Sequence, residues 1–134
     1  MDVWPTDATP AFVEMMLSTG LGATLLDLRS DDLGGPWQGV LAQAVLLHLN
    51  RVQLAQALHR LRAAVVDGAV LAFTVKEGDG DGWSNLKLDL PRHFTYWRER
   101  PLRHALAQSC WDVMSIDHVV GRTEPWPYVL ACAA

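Results

Sequence analysis

The sequence predicts an α/β fold built on a parallel strand–helix–strand unit, and three observations predict it. Residues 39–44 (GVLAQA) are an uncharged apolar run, as a strand buried on both faces requires. Residues 69–75 (AVLAFTV) are a second such run, rich in β-branched and aromatic side chains. Between them Leu54, Leu58, Leu61 and Val65 recur at helical spacing, while Arg51, Gln53, Gln56, Arg60 and Arg62 fall mostly off that stripe. Two strands joined through a helix pair in parallel, with a right-handed crossover in nearly every known instance.

The flanking residues set the helix ends. Asn50 is placed to cap the first turn through its side-chain oxygen. Asp67-Gly68 is predicted to stop the helix, because glycine tolerates a left-handed C-terminal position.

At the start of the chain, residues 1–4 read as a short strand, with Pro5 awkward in a central position because it has no N–H for the ladder. Thr9 caps a helix over residues 11–19, with Pro10 at its first position, Phe12, Met15 and Met16 on its inner side, and Gly20 as its stop. Residues 23–26 form a strand ending at Asp27-Leu28. After the central unit comes EGDGDGW. Glu77, Asp79, Asp81 and Gly82 echo the start of a calcium loop, but Leu88 stands where the closing bidentate glutamate belongs. A surface loop or substrate lid over residues 78–83 is expected instead. Residues 86–97 read as an aromatic, basic connector, and 99–108 as a helix with Pro101 in its first turn. Residues 111–119 alternate, Met114, Ile116 and His118 opposite Val113, Ser115 and Asp117. A loop over 120–126 leads to a last strand at 128–132, and these two strands are expected to close as an antiparallel hairpin.

Composition bounds the function. The chain has 134 residues, half of them apolar, enough for one domain with a real core. Eleven basic and 15 acidic residues leave a net charge of -4, which argues against a nucleic-acid partner. Arg92, Arg98, Arg100 and Arg103 read as a solvated helix entrance. No apolar run is long enough to span a bilayer, so no membrane partner is expected. Two cysteines, Cys110 and Cys132, without a CxxC pair or a secretory leader, point to a reducing cytoplasm. The five histidines show no metal-ligand spacing, and no metal is expected. No Walker loop, GxSxG or nucleophile triad is present.

The run WQGVLAQAVLLHL (residues 37–49), then a helix, then DGAVLAFTVKEG (67–78), resembles the second half of a class I S-adenosylmethionine-dependent methyltransferase. That family's fourth strand usually reads FDGVWAxxSLLHL, and its next helix ends in a PGG turn before the fifth strand. RHFTYW at 92–97 resembles the family's GRxFTYW segment before its last helix. The resemblance implies a three-layer, Rossmann-like domain over residues 1–134, with a mostly parallel sheet and a C-terminal antiparallel hairpin. It implies S-adenosylmethionine as cofactor, bound by Asp7, Asp27, Leu28 and Gln43, with a small-molecule methyl acceptor.

In that picture Asp7 follows the second strand and accepts from the ribose hydroxyls, as a carboxylate at a parallel strand's exit can. Asp27 accepts from the adenine amino group, and the Leu28 amide reaches a ring nitrogen. Each also has a plainer reading, as a carboxylate that starts a turn. His48, at the exit of the central strand, is the one catalytic candidate, as a base or a substrate-orienting group, with a partly buried structural histidine as the alternative.

The sequence departs from the family at several points. The glycine-rich turn DxGxGxG after a first strand is missing, since Gly20-Leu21-Gly22 precedes a strand. Gln38 replaces an acidic residue, Asp67-Gly68-Ala69 replaces PGG, and Cys110 replaces a glycine. The first strand is therefore expected to be absent, leaving two strands without their common neighbour. A methyltransferase and a non-catalytic remnant acting as a homodimer or partner subunit both fit these features.

Overall fold

A computed structural model describes residues 3–84, 92–120 and 125–134. The chain divides into two compact units, Met1–Leu33 and Gly34–Ala134.

In the first unit, β1 (Thr6–Asp7) pairs in parallel with β2 (Thr24–Leu25), and α1 (Pro10–Ser18) connects them. Of the strand expected at residues 1–4, residues 1–2 lie outside the described residues, and the strand described in this region is Thr6–Asp7. Pro5 contributes what a proline can, its carbonyl, which accepts from Thr24 N–H at 3.0 Å. Pro10 opens α1 as predicted. Gly20, at φ 88°, closes it: Gly20 N–H donates to Leu17 O and Leu21 N–H to Met16 O, the paired bonds of a Schellman end. The predicted inner face is corrected. Val13 is the buried residue of this helix, and Phe12 and Met15 are exposed.

In the second unit, β3 (Trp37–Ala42), α2 (Arg51–Ala63) and β4 (Val65–Thr74) make the predicted parallel unit. Asn50 accepts from Gln53 N–H at 2.8 Å and Gln53 Oε1 accepts from Asn50 N–H at 3.0 Å, a full capping box. Leu54, Ala57, Leu58 and Leu61 form the buried stripe. The helix stops at Ala63, earlier than predicted, and Asp67-Gly68 lies inside β4. Pairing runs from Trp37↔Val65 to Gly39↔Val70, so β4 carries extra residues there, with Gly68 at φ 83°. The glycine serves its left-handed role in a strand irregularity instead of a helix end.

β5 (Lys76–Glu77), β6 (Asp81–Ser84) and β7 (Arg92–Trp97) form a three-stranded sheet in the order β5-β7-β6. Two expectations change here. Residues 92–97 are a strand, and the proposed lid is held: Tyr96 N–H donates to Gly80 O at 3.0 Å, and Arg98 forks onto Asp79 at 2.9 and 2.8 Å. Short polar segments give no apolar alternation, so their pairing rests on backbone bonds that the sequence hides. Residues 85–91 of the connector, Leu88 among them, and 121–124 of the predicted loop lie outside the described residues.

Helix α3 (Glu99–Gln108) matches its predicted bounds. β8 (Trp111–Val120) and β9 (Pro125–Ala133) pair antiparallel, as expected of the hairpin. The ladder slips between Val113 and Ser115, so Met114 is a bulge and the simple alternation is broken there. β9 inserts beside β4, giving the order β3-β4-β9-β8. This sheet is mixed, one parallel and two antiparallel pairs, and not mostly parallel.

One sheet face is the core: Leu71, Phe73, Val129 and Ala131 are buried, and Trp111 donates from Nε1 to the Leu58 carbonyl of α2 at 2.9 Å. The other face is open. Leu41 is 75% exposed, and Val70, Tyr128 and Leu130 are exposed beside it. Neither β3 nor β4 is therefore buried on both faces, as the apolar runs suggested. Among the described residues, β3 is the end strand of its sheet. Among the described residues, no helix is long and apolar enough to cross a membrane.

Candidate functional site

Ligands in open α/β sheets meet the C-terminal ends of parallel strands. In the first unit the pairing Thr6↔Thr24 and Asp7↔Leu25 brings Asp7 and the segment Asp27-Leu28 to the same end of a parallel pair. Asp7 Oδ1 accepts from Thr9 N–H at 2.8 Å, which aims the carboxylate and starts the turn into α1. Asp27 is committed further. Oδ1 takes Arg29 N–H at 2.9 Å and Nε at 3.0 Å, and Oδ2 takes an outer guanidinium nitrogen at 2.8 Å. Its own N–H donates to Asp31 Oδ2 at 2.8 Å. Both carboxylates thus hold turns, the plainer reading of each.

Fit to S-adenosylmethionine divides by halves. Two acceptor carboxylates at adjacent parallel strand ends suit the nucleoside, provided Asp27 yields part of its fork with Arg29. For the methionine half, the cradle must be glycines that let backbone approach. Gly20 and Gly22 lie between α1 and β2, ahead of a strand and not after one, and so do not form such a turn.

In the second unit, the chain leaves β3 through exposed Gln43 and Ala44, the latter at φ 56°, and enters a single 3-10 turn, Leu46–His48. Ala44 N–H donates to Thr74 Oγ1 at 2.8 Å, tying this exit to the end of β4. Buried Leu46 and Leu47 anchor the turn and leave His48 half-buried above it. His48 Nδ1 lies 2.8 Å from His93 O. A carbonyl oxygen only accepts, so Nδ1 carries the hydrogen and Nε2 of the neutral ring keeps its lone pair. Burial holds the imidazole below the ordinary histidine value. The bond to His93 O opposes this, and Arg92, Lys76 and His93 reinforce it through charge.

Around His48 stands a cluster that sequence reasoning missed. The Phe94 ring centroid lies 4.9 Å from that of His48, 4.0 Å from Lys76 Nζ and 5.2 Å from Arg92 Cζ. Lys76 is buried and its ammonium also lies 5.2 Å from the Trp126 ring. Arg92 Nε is buried without a hydrogen-bond partner among the described residues. His93 Nε2 lies 3.5 Å from Asp81 Oδ1, and Trp83 meets the His93 ring edge-on. The available signal was Lys76, the first charge after the apolar run 69–75. Elsewhere, His118 lies between Glu77 at 3.5 Å and Glu99 at 3.1 Å and ties β8 to β5 and α3. The bond from His118, then that from Arg103, holds the Glu99 carboxyl below its ordinary range.

No protein-family profile matches the chain, and no curated protein does. Solved structures do. An S-adenosylmethionine-dependent methyltransferase from Clostridium acetobutylicum superimposes with a TM-score of 0.79 at 9% identity, over 100% of this chain and 76% of that one. The 1,6-didemethyltoxoflavin-N1-methyltransferase of Burkholderia thailandensis, solved with that substrate and S-adenosylhomocysteine, gives 0.73 at 14% identity, over 96% and 60%. Magnesium protoporphyrin IX methyltransferase of Synechocystis, solved with S-adenosylmethionine, gives 0.75 at 13%, over 98% and 59%. The chain thus has the fold of class I S-adenosylmethionine-dependent methyltransferases and spans about 60% of the length of two of these three.

Proposed function

We propose that this chain is an S-adenosylmethionine-dependent methyltransferase acting on a small molecule, with one domain over residues 1–134 in the three-layer arrangement of that fold and working in the cytoplasm. The observation that carries the reading is the placement of Asp7 and Asp27 at the shared end of the β1–β2 pair, within a methyltransferase fold. When bound, the donor supplies a methyl carbon on a positive sulfur, which keeps the bonding pair as a nucleophile arrives. Asp7 and Asp27 would take the ribose and adenine, and the Leu28 amide the ring nitrogen. Such transfer depends on positioning and exclusion of water more than on strong acid catalysis. Isothermal titration with S-adenosylhomocysteine tests it. Saturable binding is expected, weakened by about 1–3 kcal/mol in Asp7→Ala and in Asp27→Ala through loss of a charged acceptor. Unchanged affinity in both variants removes the site.

A second reading is favoured by the open face and free end of the β3 sheet. An end strand beside exposed Leu41, Val70 and Leu130 invites pairing with another chain. We propose that the protein works as a homodimer or with a protein partner, either as the enzyme or as a non-catalytic remnant. Sedimentation at micromolar concentration is expected to show a dimer. A cooperatively folding monomer there removes self-association.

A further inference from the structure

His118, on β8, has a carboxylate at each ring nitrogen. Nε2 lies 3.1 Å from Glu99 Oε1 of α3, and Nδ1 lies 3.5 Å from Glu77 Oε1 of β5. A carboxylate only accepts, and a neutral imidazole has one N–H to give. The neutral ring therefore serves one carboxylate and turns a lone pair toward the other. The shorter contact, to Glu99, has the geometry of a hydrogen bond and keeps the hydrogen on Nε2. Nδ1 then sets a lone pair against the Glu77 anion. A second proton, on Nδ1, turns that contact from repulsion to attraction and leaves the Glu99 bond in place. The other charged groups around the ring come from α3 and its cap. Arg103 shares Glu99 at 3.3 Å, and Arg98 is close enough to Glu77 to feel its charge. β9 sets uncharged Pro127 opposite His118, and Asp117 alternates to the other face of β8. Glu77 ends β5, shortly after the end of β4 at Thr74. It leads into a stretch held by Gly78 N–H to Trp97 O at 3.3 Å and by Tyr96 N–H to Gly80 O at 3.0 Å.

We propose that His118 is a proton-operated clasp: the doubly protonated ring fastens β5 to β8 and α3 through Glu77, and the neutral ring releases Glu77 while keeping Glu99. The part released is the start of the Gly78–Ser84 stretch, beside the end of β4. Acid thus closes this rim of the strand exits and base loosens it. Histidine changes charge between about pH 5 and 8, the range in which such a clasp works. The fastening is present at the acid end of that range and is lost as pH rises through it, opposite in sign to the linkage of a histidine buried neutral. Side chains as exposed as these hold weakly, so the clasp tunes the opening of one segment and leaves the fold intact. The device needs no ligand, and its fate is separate from that of the methyltransferase reading.

The test is amide hydrogen exchange of the intact protein at about pH 5.5 and about pH 8, corrected for the chemical rate at each pH. At Gly78 and Tyr96, protection is expected to fall about two- to fivefold from the acid to the alkaline sample, as loss of one exposed ion pair allows. The amides of β4 and β9 are expected to keep theirs, which also reports that the fold is intact. His118→Asn is expected to abolish the fall. Glu77→Gln is expected to abolish it too, because glutamine offers an oxygen to an Nδ1–H and an N–H to an Nδ1 lone pair, so its contact survives both states. Nitrogen NMR of the wild type is expected to show both His118 nitrogens protonated in the acid sample and the hydrogen on Nε2 alone in the alkaline one. No fall in the wild type, an equal fall in either variant, a fall shared by β4 and β9, or a neutral ring with its hydrogen on Nδ1 each overturns the proposal.

Discussion

Residues Gly34–Ala134 bury Trp111, Phe73, Leu54, Leu58, Leu71, Leu102 and Leu106 almost completely, whereas in Met1–Leu33 the buried apolar residues are Val13, Leu26 and Leu33. The larger unit is held by side-chain packing across a sheet and two helices. The smaller one is held by turn chemistry: the glycine end of α1, the Asp7–Thr9 turn, the Asp27–Arg29 fork, and Trp4 Nε1 donating to Thr24 Oγ1 at 2.9 Å. The carboxylates suited to a nucleoside sit in the turn-held unit, and the imidazole and cations sit on the packed one. Segments held mainly by exposed hydrogen bonds open most easily, which is where ligand-induced ordering is found.

Mutations sharpen that contrast. Leu58→Ala should destabilise the protein by about 2–5 kcal/mol, the range for a fully buried leucine. Phe12→Ala, on exposed α1, should stay within about 0.5 kcal/mol. Equal effects in denaturant melts would break the comparison. Gly35→Ala tests the entry to β3. A Cβ there would lie 2.3 Å from Ala64 O at a residue with φ 96°, so a loss of about 2–4 kcal/mol is expected. Asn50→Ala removes one arm of the capping box and should cost about 1 kcal/mol. Cys110→Gly should stabilise by about 0.5–1 kcal/mol, because Cys110 sits at φ 62°, and a higher melting temperature checks it.

The smallest expected effect is a pH dependence. His48 is held below its ordinary value of 6.5, so below that value the unfolded chain binds the proton more readily than the folded one. The stability due to neutral His48 is fully present above about pH 6.5 and falls as pH drops toward the depressed value. Melting temperatures of wild type and His48→Asn should therefore converge as pH falls from about 7 to 5. Parallel curves would show that His48 contributes no such linkage.

What was legible followed from periodicity. The stripes of α2 and α3 repeat at helical spacing, and Asn50 and Pro101 mark their starts, so both helices came out nearly as read. The closing hairpin was legible as two strand runs around a short break. Burial of β3 and β4 is not legible in the sequence because an apolar run is the same whether or not a layer covers both faces, and Leu41 shows one uncovered. Asp67-Gly68 reads as a helix end in the sequence because a strand irregularity asks the same left-handed φ of its glycine. β6 and β7 were hidden because their ladder uses backbone groups alone.

For the site, the motifs put His48, Asp7 and Asp27 each at a strand exit, and the pairing of the strands behind Asp7 and Asp27 comes from the structure. The resemblance explains Cys110 as well: the position where glycine is usual has a left-handed backbone. Lys76 draws no notice in the sequence, and Arg92 reads as part of a solvated helix entrance, because a cation over an aromatic ring leaves no spacing in sequence.

Amide hydrogen exchange with and without S-adenosylhomocysteine tests the central claim most directly, since it reads binding and its location together. The account predicts that the ligand slows exchange at Thr9, held by Asp7, and at Asp27 through Arg29, while the amides of β4 and β9, already protected by packing, change little. Unchanged exchange in Met1–Leu33 at saturating ligand, or protection confined to the packed unit, would contradict it.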